Sequence, residues 1–517
     1  MRWRAHRPFR RPSLETEGAV TSKRAPTTMR VDHVAPALFV LVVVAFYAAT
    51  LRPQETWIAG DFALYIMHAK NIALGLPYND TMYLHNPENA IISPAAYPPG
   101  FPLLLSVAWL LSERSSPDQA LLLFKLMNLF FLAGTVLLVY AIALPRLGFR
   151  WAFLLTVLFG VSPVVFRSRD LILSDIAFMF WCYAALLLCD LVRRRKGARL
   201  PVVGLALAVA MACSTRVAGV ALAGALLATF LVRRRPDWPS ALAVGAATLG
   251  AFAANRIAHT DAGTYLGYFE RLRSTEATGW LIDVGLAYGR GIVEIFGIGF
   301  DRVTNAGVAL LLVLIAFGGF LIRVRRGAGA AEFFAVLYTA MILLFPVRLE
   351  PVRYALPVVP LMMFYIMTVF AALAERSGRG TLVFGAVIAG FLVLYVPFYL
   401  THDELSAPDL AVTDADSQAL FRKIAEDVPA DGLILARNPR VVGLFAQRHA
   451  SIWPELPSDA RFWSYADATK AQYLLQELRV PEPETYNMAG IIQRNPDRLD
   501  LLFRNGSFAF YRIRPAP

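Results

Sequence analysis

Long apolar runs, interrupted by short arginine-rich stretches, make up most of the first four hundred residues. A helix crosses roughly 30 Å of hydrocarbon with about 20 mostly apolar residues, and somewhat fewer suffice inside a bundle. Runs of that kind lie near 34–51, 118–144, 151–167, 174–192, 200–214, 216–232, 239–257, 305–322, 331–347, 354–373 and 381–400. From Thr401 the pattern changes to mixed polar. A helical period covers Asp416–Glu426, a short apolar run Gly432–Ala436 reads as a strand, and the alternation in Ser507–Ile513 reads as another. The pattern predicts a mainly α protein: a polytopic membrane helix bundle over 34–400, followed by a small extracytoplasmic α/β domain over 401–517. Residues 1–33 are rich in Arg, Pro, Ser and Thr with no apolar period, and read as a disordered basic cytoplasmic tail.

Sidedness follows from the basic residues between the runs. Arg146–Arg150, Arg193–Lys196, Arg233–Arg235, Arg323–Arg326, Arg376–Arg379 and the N-terminal tail all belong on the cytoplasmic face. One apolar stretch, Pro98–Leu111, is short, starts at Pro98-Pro99 and contains Pro102. If it crossed, every later basic loop would change sides, so it reads as a juxtamembrane or re-entrant element covered by protein. About eleven spans then result, N-terminus inside and C-terminus outside. This parity puts loops 52–117, 167–174, 258–304 and 348–353 on the outer face, together with 401–517.

Composition agrees with a membrane class: 57% of the 517 residues are hydrophobic and 17% charged, with a mean hydropathy of +0.51. That excludes a soluble enzyme and a disordered chain. The excess of 50 Lys and Arg over 38 Asp and Glu would suggest nucleic acid in a soluble protein. Here it is absorbed by orientation, and no nucleic-acid partner is implied. Cys182, Cys189 and Cys213 lie within apolar runs, which leaves no disulfide framework and no CxxC metal pair. The cytoplasmic loops contain neither GxxxxGK[ST] nor a GxGxxG in strand-to-helix context, so chemistry is expected on the outer side.

Four outer stretches carry candidate chemistry. After Gly60, a helix would place Asp61, Tyr65 and His68 on one stripe at i, i+4 and i+7. Asp61 then has two readings, a helix N-cap or a general base for a hydroxyl at the membrane edge. Arg169-Asp170 followed by Ser174-Asp175 repeats the choice. Either Ser174 or Asp175 caps the next helix and Arg169 pairs with Asp170 at the rim, or Asp175 is a second acid facing Asp61 while Arg169 holds a phosphate through its planar fork. Arg348, Glu350, Arg353 and Tyr354 cluster at an outer helix end, where arginines either snorkel or clamp a phosphate headgroup. Arg216, at the tip of a tight helical hairpin, needs an anion or carbonyls around it. Tyr97-Pro98-Pro99-Gly100 is a rigid aromatic entry to the re-entrant stretch. His85, His259 and His402 are scattered without HxxxH or HxD spacing, so no metal site and no cofactor is assigned.

In this order, Gly60-Asp61 with Tyr65 and Gly75-Leu76-Pro77, Tyr97-Pro98-Pro99-Gly100-Phe101-Pro102-Leu103, Ser162-Pro163 with Arg169 and Ser174-Asp175, and Arg353-Tyr354 with Pro357 resemble the GT-C superfamily of integral-membrane glycosyltransferases. The likeness is to the bacterial relatives of protein O-mannosyltransferases and aminoarabinose (lipid A) transferases. The resemblance implies a polyprenyl-phosphate-linked sugar as donor, transfer outside the cytoplasmic membrane to a lipid, glycan or protein acceptor, and inversion at the anomeric carbon. It further implies Asp61 as base, Asp175 as the second-loop acid, and Arg169 or Arg353 on the leaving lipid phosphate. Phe62 follows Asp61 where many relatives have a second acid, so a two-carboxylate scheme in this loop is not implied. A transporter or lipid flippase, or a polysaccharide polymerase or ligase using a lipid-diphosphate donor, are the competing classes. The former predicts charges buried mid-span and a repeat, the latter a larger arginine cluster.

Overall fold

A computed structural model describes residues 26–57, 60–89, 95–112, 117–195, 198–232, 236–258, 277–344, 350–401, 410–455, 458–479 and 488–515. Within the described residues most of the apolar stretches expected to span lie on helix, with ends close to those read from the pattern: Ser174–Arg194, Trp238–Ile257 and Gly380–Thr401 are examples. Among the described residues, five helices are long and apolar enough to cross a membrane: Gln119–Gly160, Ser174–Arg194, Arg302–Gly327, Pro351–Ser377 and Gly380–Thr401. Five shorter apolar helices accompany them. Large aliphatic side chains such as Leu242, Leu249, Leu310, Leu314 and Leu400 remain exposed, as expected of surfaces solvated by lipid rather than water.

Three departures from the expected elements have local causes. Helix begins at Pro26, inside the stretch read as disordered tail, whose residues 1–25 lie outside the described residues. The run near 151–167 is not one helix. Gly148 (φ 75°) turns the chain inside Pro117–Gly160, and Pro163, which has no N–H to donate, holds Ser162 extended and starts the separate helix Pro163–Ser168. The outer loop 258–304 contains a helix, Ala277–Ile295, whose apolar face is split between buried Val284, Ala287 and Ile295 and exposed Ile282 and Leu286.

The first outer loop supplies two helices, Asp61–Leu74 and Gly100–Ser112. They pack on each other and the second packs on Pro117–Gly160 and Arg199–Thr215. At Gly100 a Cβ would stand 2.6 Å from the Ser214 carbonyl carbon, so only glycine lets that helix start against the end of Arg199–Thr215.

The region beyond the bundle holds, among the described residues, a six-stranded sheet in the order β1-β3-β2-β4-β6-β5. The strands are β1 (Tyr83–Leu84), β2 (Leu433–Leu435), β3 (His449–Ser451), β4 (Tyr473–Glu477), β5 (Leu499–Arg504) and β6 (Phe508–Ile513). β1 to β4 pair in parallel and β5 and β6 add antiparallel. The region is therefore not built from 401–517 alone, because its edge strand β1 comes from the first outer loop. The same loop adds a bridge between Thr56 and Ala411, a Val412 N–H bond to the Glu55 carbonyl at 2.8 Å and Trp57 Nε1 donating to Ser417 Oγ at 2.8 Å.

Alternation along the strands divides the core. Ile434, Tyr473 and Leu475 face the cluster that continues through the Asp61–Leu74 helix into the bundle. Leu433, Leu435 and Leu474 face a second cluster with Trp453, Phe462 and Trp463. The sheet thus lies as a layer over the helix that begins at Asp61.

Candidate functional site

Five helix ends and one extended turn converge where the sheet meets the bundle. Asp61 is the first residue of its helix, and the N-cap position before it is held by Gly60, which has no side chain to cap with. Asp61 Oδ1 accepts from the Tyr97 hydroxyl at 2.8 Å and from Arg440 Nη1 at 2.7 Å. Oδ2 accepts from Arg353 Nη1 at 2.8 Å. Arg353 follows Pro351 in the first turn of a short helix, Pro351–Ala355. Its Nε donates to Asp175 Oδ2 at 2.7 Å, and Nη1 is also 2.6 Å from Glu350 Oε2. Asp175, second residue of the Ser174–Arg194 helix, receives its other oxygen's bond from Arg216. Arg216 ends the Arg199–Thr215 helix in an extended conformation (φ −148°, ψ 140°), which aims it across at Ser174–Asp175.

Aromatic rings wall the cluster. Tyr65 stacks on Tyr97 with centroids 4.3 Å apart, and its hydroxyl bonds Ser174 Oγ at 2.9 Å. Arg216 lies over Tyr354 at 5.7 Å, and Arg440 over Tyr83 at 4.9 Å and Tyr97 at 5.4 Å. Three guanidiniums thus face three carboxylates. Asp61, Arg353 and Arg216 keep 22%, 17% and 16% of their side-chain surface exposed, whereas Asp175 and Arg440 are buried. Burial alone would raise the Asp61 pKa, but Arg353 and Arg440 outweigh it and hold the carboxyl well below the usual range.

The structure brings together Asp61, Tyr65, Tyr97, Asp175, Arg216, Arg353 and Tyr354. The N-cap positions of the two helices are taken by Gly60 and by an extended Leu173, not by Asp61, Ser174 or Asp175. Arg169 is placed elsewhere. Its guanidinium is fully buried, donates to Phe166 O at 2.6 Å and Thr50 O at 3.0 Å, and stacks on Phe166 at 3.7 Å. Two carbonyls and the Thr50 hydroxyl lie against it, and it is not among the groups gathered at Asp61, where it was expected to grip a phosphate. Nor does it pair with Asp170 at a rim, since Asp170 binds Arg52 and Lys125. Arg348 lies outside the described residues.

Arg440 and Tyr83 complete the site without having been singled out for it, and Glu350 joins it from the cluster read around Arg353. Arg440 opens the helix Pro439–Ala446 in the outer region, and only the sheet topology reveals that this helix packs on Asp61–Leu74. Among the described residues no group of three or more His, Cys, Asp or Glu gathers as metal ligands. Where the two aspartates approach, the Arg353 guanidinium bridges them.

No protein-family model matches the sequence, and no curated protein does. Solved structures do match in fold. The Archaeoglobus fulgidus oligosaccharyltransferase tethered with an acceptor peptide aligns with a TM-score of 0.57 at 12% identity, covering 87% of this chain and 70% of that one. ArnT from Cupriavidus metallidurans bound to undecaprenyl phosphate aligns with a TM-score of 0.57 at 13% identity, covering 94% and 98%. The archaeal oligosaccharyltransferase AglB, in complex with an inhibitory peptide and a dolichol-phosphate, aligns with a TM-score of 0.55 at 13% identity, covering 85% and 69%.

Proposed function

We propose that this chain, a membrane protein with the GT-C fold of those glycosyltransferases, transfers a sugar from a polyprenyl-phosphate donor to a hydroxyl of an extracytoplasmic lipid, glycan or protein. The observation that carries the reading is the partly exposed Asp61, held among Tyr97, Arg353 and Arg440 at the junction of bundle and sheet. Reacting groups of that kind are needed: a carboxylate to take the acceptor's proton and fixed cations for the leaving phosphate.

In this reading the acceptor oxygen attacks the anomeric carbon while its proton passes to Asp61. The bond from that carbon to the phosphate oxygen breaks, and the polyprenyl phosphate leaves with the electron pair. A single displacement inverts the anomeric centre. Arg353 and Arg216, both reached from Asp175, and Arg440 are the groups available to the phosphate. As the structure stands Asp61 is a poor base, because three donors occupy it. A phosphate that draws Arg353 or Arg440 toward itself relieves Asp61 and raises its basicity, so donor binding prepares the base. In this reading the chain sits in the inner (cytoplasmic) membrane with its site on the extracytoplasmic face, a sidedness that the arginine-rich loops support.

Membranes carrying the native chain are expected to transfer label from radiolabelled undecaprenyl-phosphate sugars, and the Asp61→Asn variant to lose that transfer. Full turnover by the variant would remove Asp61 as base. Absence of transfer from hexosyl and pentosyl donors alike would count against the reaction class.

A further inference from the structure

The stripe Asp61, Tyr65, His68 reaches one target with all three residues. Asp61 accepts from the Tyr97 hydroxyl, Tyr65 stacks on the Tyr97 ring, and His68 Nε2 lies 3.4 Å from the Tyr97 amide nitrogen. On its other side His68 Nδ1 meets the Tyr78 carbonyl at 2.9 Å. An amide N–H only donates and a carbonyl only accepts, so the two contacts together assign the imidazole: neutral, proton on Nδ1, lone pair on Nε2. His68 is fully buried. Burial first, with the nearby charge of Arg440, lowers its pKa to about 4 against the Tyr78 hydrogen bond, so the neutral form is the one present at neutral pH.

Tyr78 closes the frame. Its ring stacks on His68 at 4.2 Å and 7°, and its hydroxyl donates to the Tyr97 carbonyl at 2.7 Å. The loop that carries Tyr78 is itself pinned by Asn71, one turn after His68, whose amide donates to the carbonyls of Pro77, Tyr78 and Asp80. Tyr97 is thus gripped at its N–H, its C=O, its ring face and its hydroxyl. The hydroxyl also receives Arg440 Nη1 at 3.0 Å, which makes it the joint between the base candidate and an arginine of the outer region.

We infer that His68 and Tyr78 are positioning residues for the transfer reaction, setting Tyr97 so that its hydroxyl orients the Asp61 carboxylate and the Arg440 guanidinium toward the reacting groups. This rests on the glycosyltransferase reading above. Neither side chain touches the open part of the cluster, and both act through Tyr97. Proline at 98 and 99 stiffens the chain that follows, but no backbone hydrogen bond within a helix or strand holds Tyr97 itself, which is why side chains must do so. A displacement of the base by even about 1 Å can cost as much as roughly a hundredfold in rate.

The test compares the full-length native protein with His68→Ala and His68→Gln, the glutamine amide keeping one donor and one acceptor. Hydrogen exchange of the peptide containing Tyr97, read without substrate, is expected to speed up by about tenfold or more in the alanine variant and to return toward native in the glutamine variant. Transfer from radiolabelled undecaprenyl-phosphate hexose or pentose is expected to fall roughly ten- to a hundredfold in kcat for alanine, with donor KM within about twofold, and to recover with glutamine. Tyr78→Phe, which keeps the stack and loses only the hydroxyl, is expected to repeat the kcat loss in smaller measure. Unchanged exchange at Tyr97, a rise in KM alone, or no recovery with glutamine would overturn the inference. If the native protein uses neither donor, the reaction class fails instead, and the exchange comparison still decides whether His68 holds Tyr97.

Discussion

Two ion clusters lie at helix ends, and they differ in what completes them. Around Asp61 and Asp175 every strong contact runs between side chains, from Arg216, Arg353, Arg440 and Tyr97, and the Asp61 carboxylate keeps an exposed edge. Around Asp170 the carboxylates and the lysine are closed off, Asp170, Lys125 and Glu55 being 0%, 1% and 4% exposed, and only Arg52, which also binds Asp170, reaches the surface with 21%. There the cation is spent on backbone, with Lys125 Nζ donating to Arg52 O at 2.8 Å and Gln54 O at 2.7 Å as well as to Asp170 Oδ1 at 3.1 Å. Arg169, with its carbonyl partners, belongs to the same pattern. Side-chain pairs with an open edge can exchange one partner for an incoming phosphate or hydroxyl. A cation held by main-chain carbonyls in a closed space cannot, and fixes the chain instead. The second cluster braces residues 50–57 between the bundle and the outer sheet, just ahead of Asp61.

The sharpest way to break this contrast is to alter the open cluster and find no chemical effect. Asp61→Asn removes the proton acceptor while keeping shape, and transfer is expected to drop about 10²- to 10⁴-fold in a membrane assay with native expression level. Next in size is Arg353→Lys, which retains charge but cannot reach Asp61 and Asp175 together through a planar fork. A loss of roughly 10²- to 10³-fold in kcat is expected, with weaker binding of undecaprenyl phosphate. A lysine variant with native turnover would show that the bridge between the two aspartates is incidental.

How much of this was legible beforehand depends on the range of the interaction. The helices appear in the apolar pattern because each carries its own period, and so do the outer strands Leu433–Leu435 and Phe508–Ile513. The stripe Asp61, Tyr65, His68 is likewise a local property of one helix. Arg440 is not, since its bond to Asp61 joins positions 379 apart and nothing around Arg440 distinguishes it from a surface arginine. Tyr83–Leu84 is too short to show a period and becomes a strand only because β3 offers an edge. Arg169 and Arg353 look equivalent as outer-loop arginines. What separates them is whether carbonyls or carboxylates close around the guanidinium, a tertiary fact.

The Asp170 cluster makes the opposite prediction to the open one. Lys125→Met leaves Glu55 buried without its ion-pair partner and Asp170 with Arg52 alone, and breaking a buried pair in this way costs about 3–5 kcal/mol. Thermal unfolding in detergent should therefore shift down strongly, while turnover per folded molecule stays near native because Lys125 touches neither Asp61 nor Asp175. A variant that is stable yet inactive would place Lys125 in the chemistry and dissolve the distinction between the clusters.

The smallest effect is expected from Glu55, and its sign distinguishes the clusters again. Burial foremost, with the charge of Asp170, raises its pKa from the ordinary 4.5 to about 7, against the pull of Lys125 and Arg52. The folded chain therefore keeps a proton that the unfolded chain loses, and the stability tied to that proton is full below about pH 4.5, declines as pH rises and is gone above about pH 7. The Asp61 carboxyl, held below the usual carboxylate range, stays ionised throughout this window and contributes no slope there. The unfolding temperature of the native protein should thus fall more steeply across this interval than that of Glu55→Gln, which carries no titrating group at the site. Asp61→Asn should keep the native slope. Parallel curves for native and Glu55→Gln would mean that Glu55 is ionised in the fold, stabilised by Lys125 as a true ion pair, and the Asp170 cluster would then resemble the open one in charge and differ from it only in access.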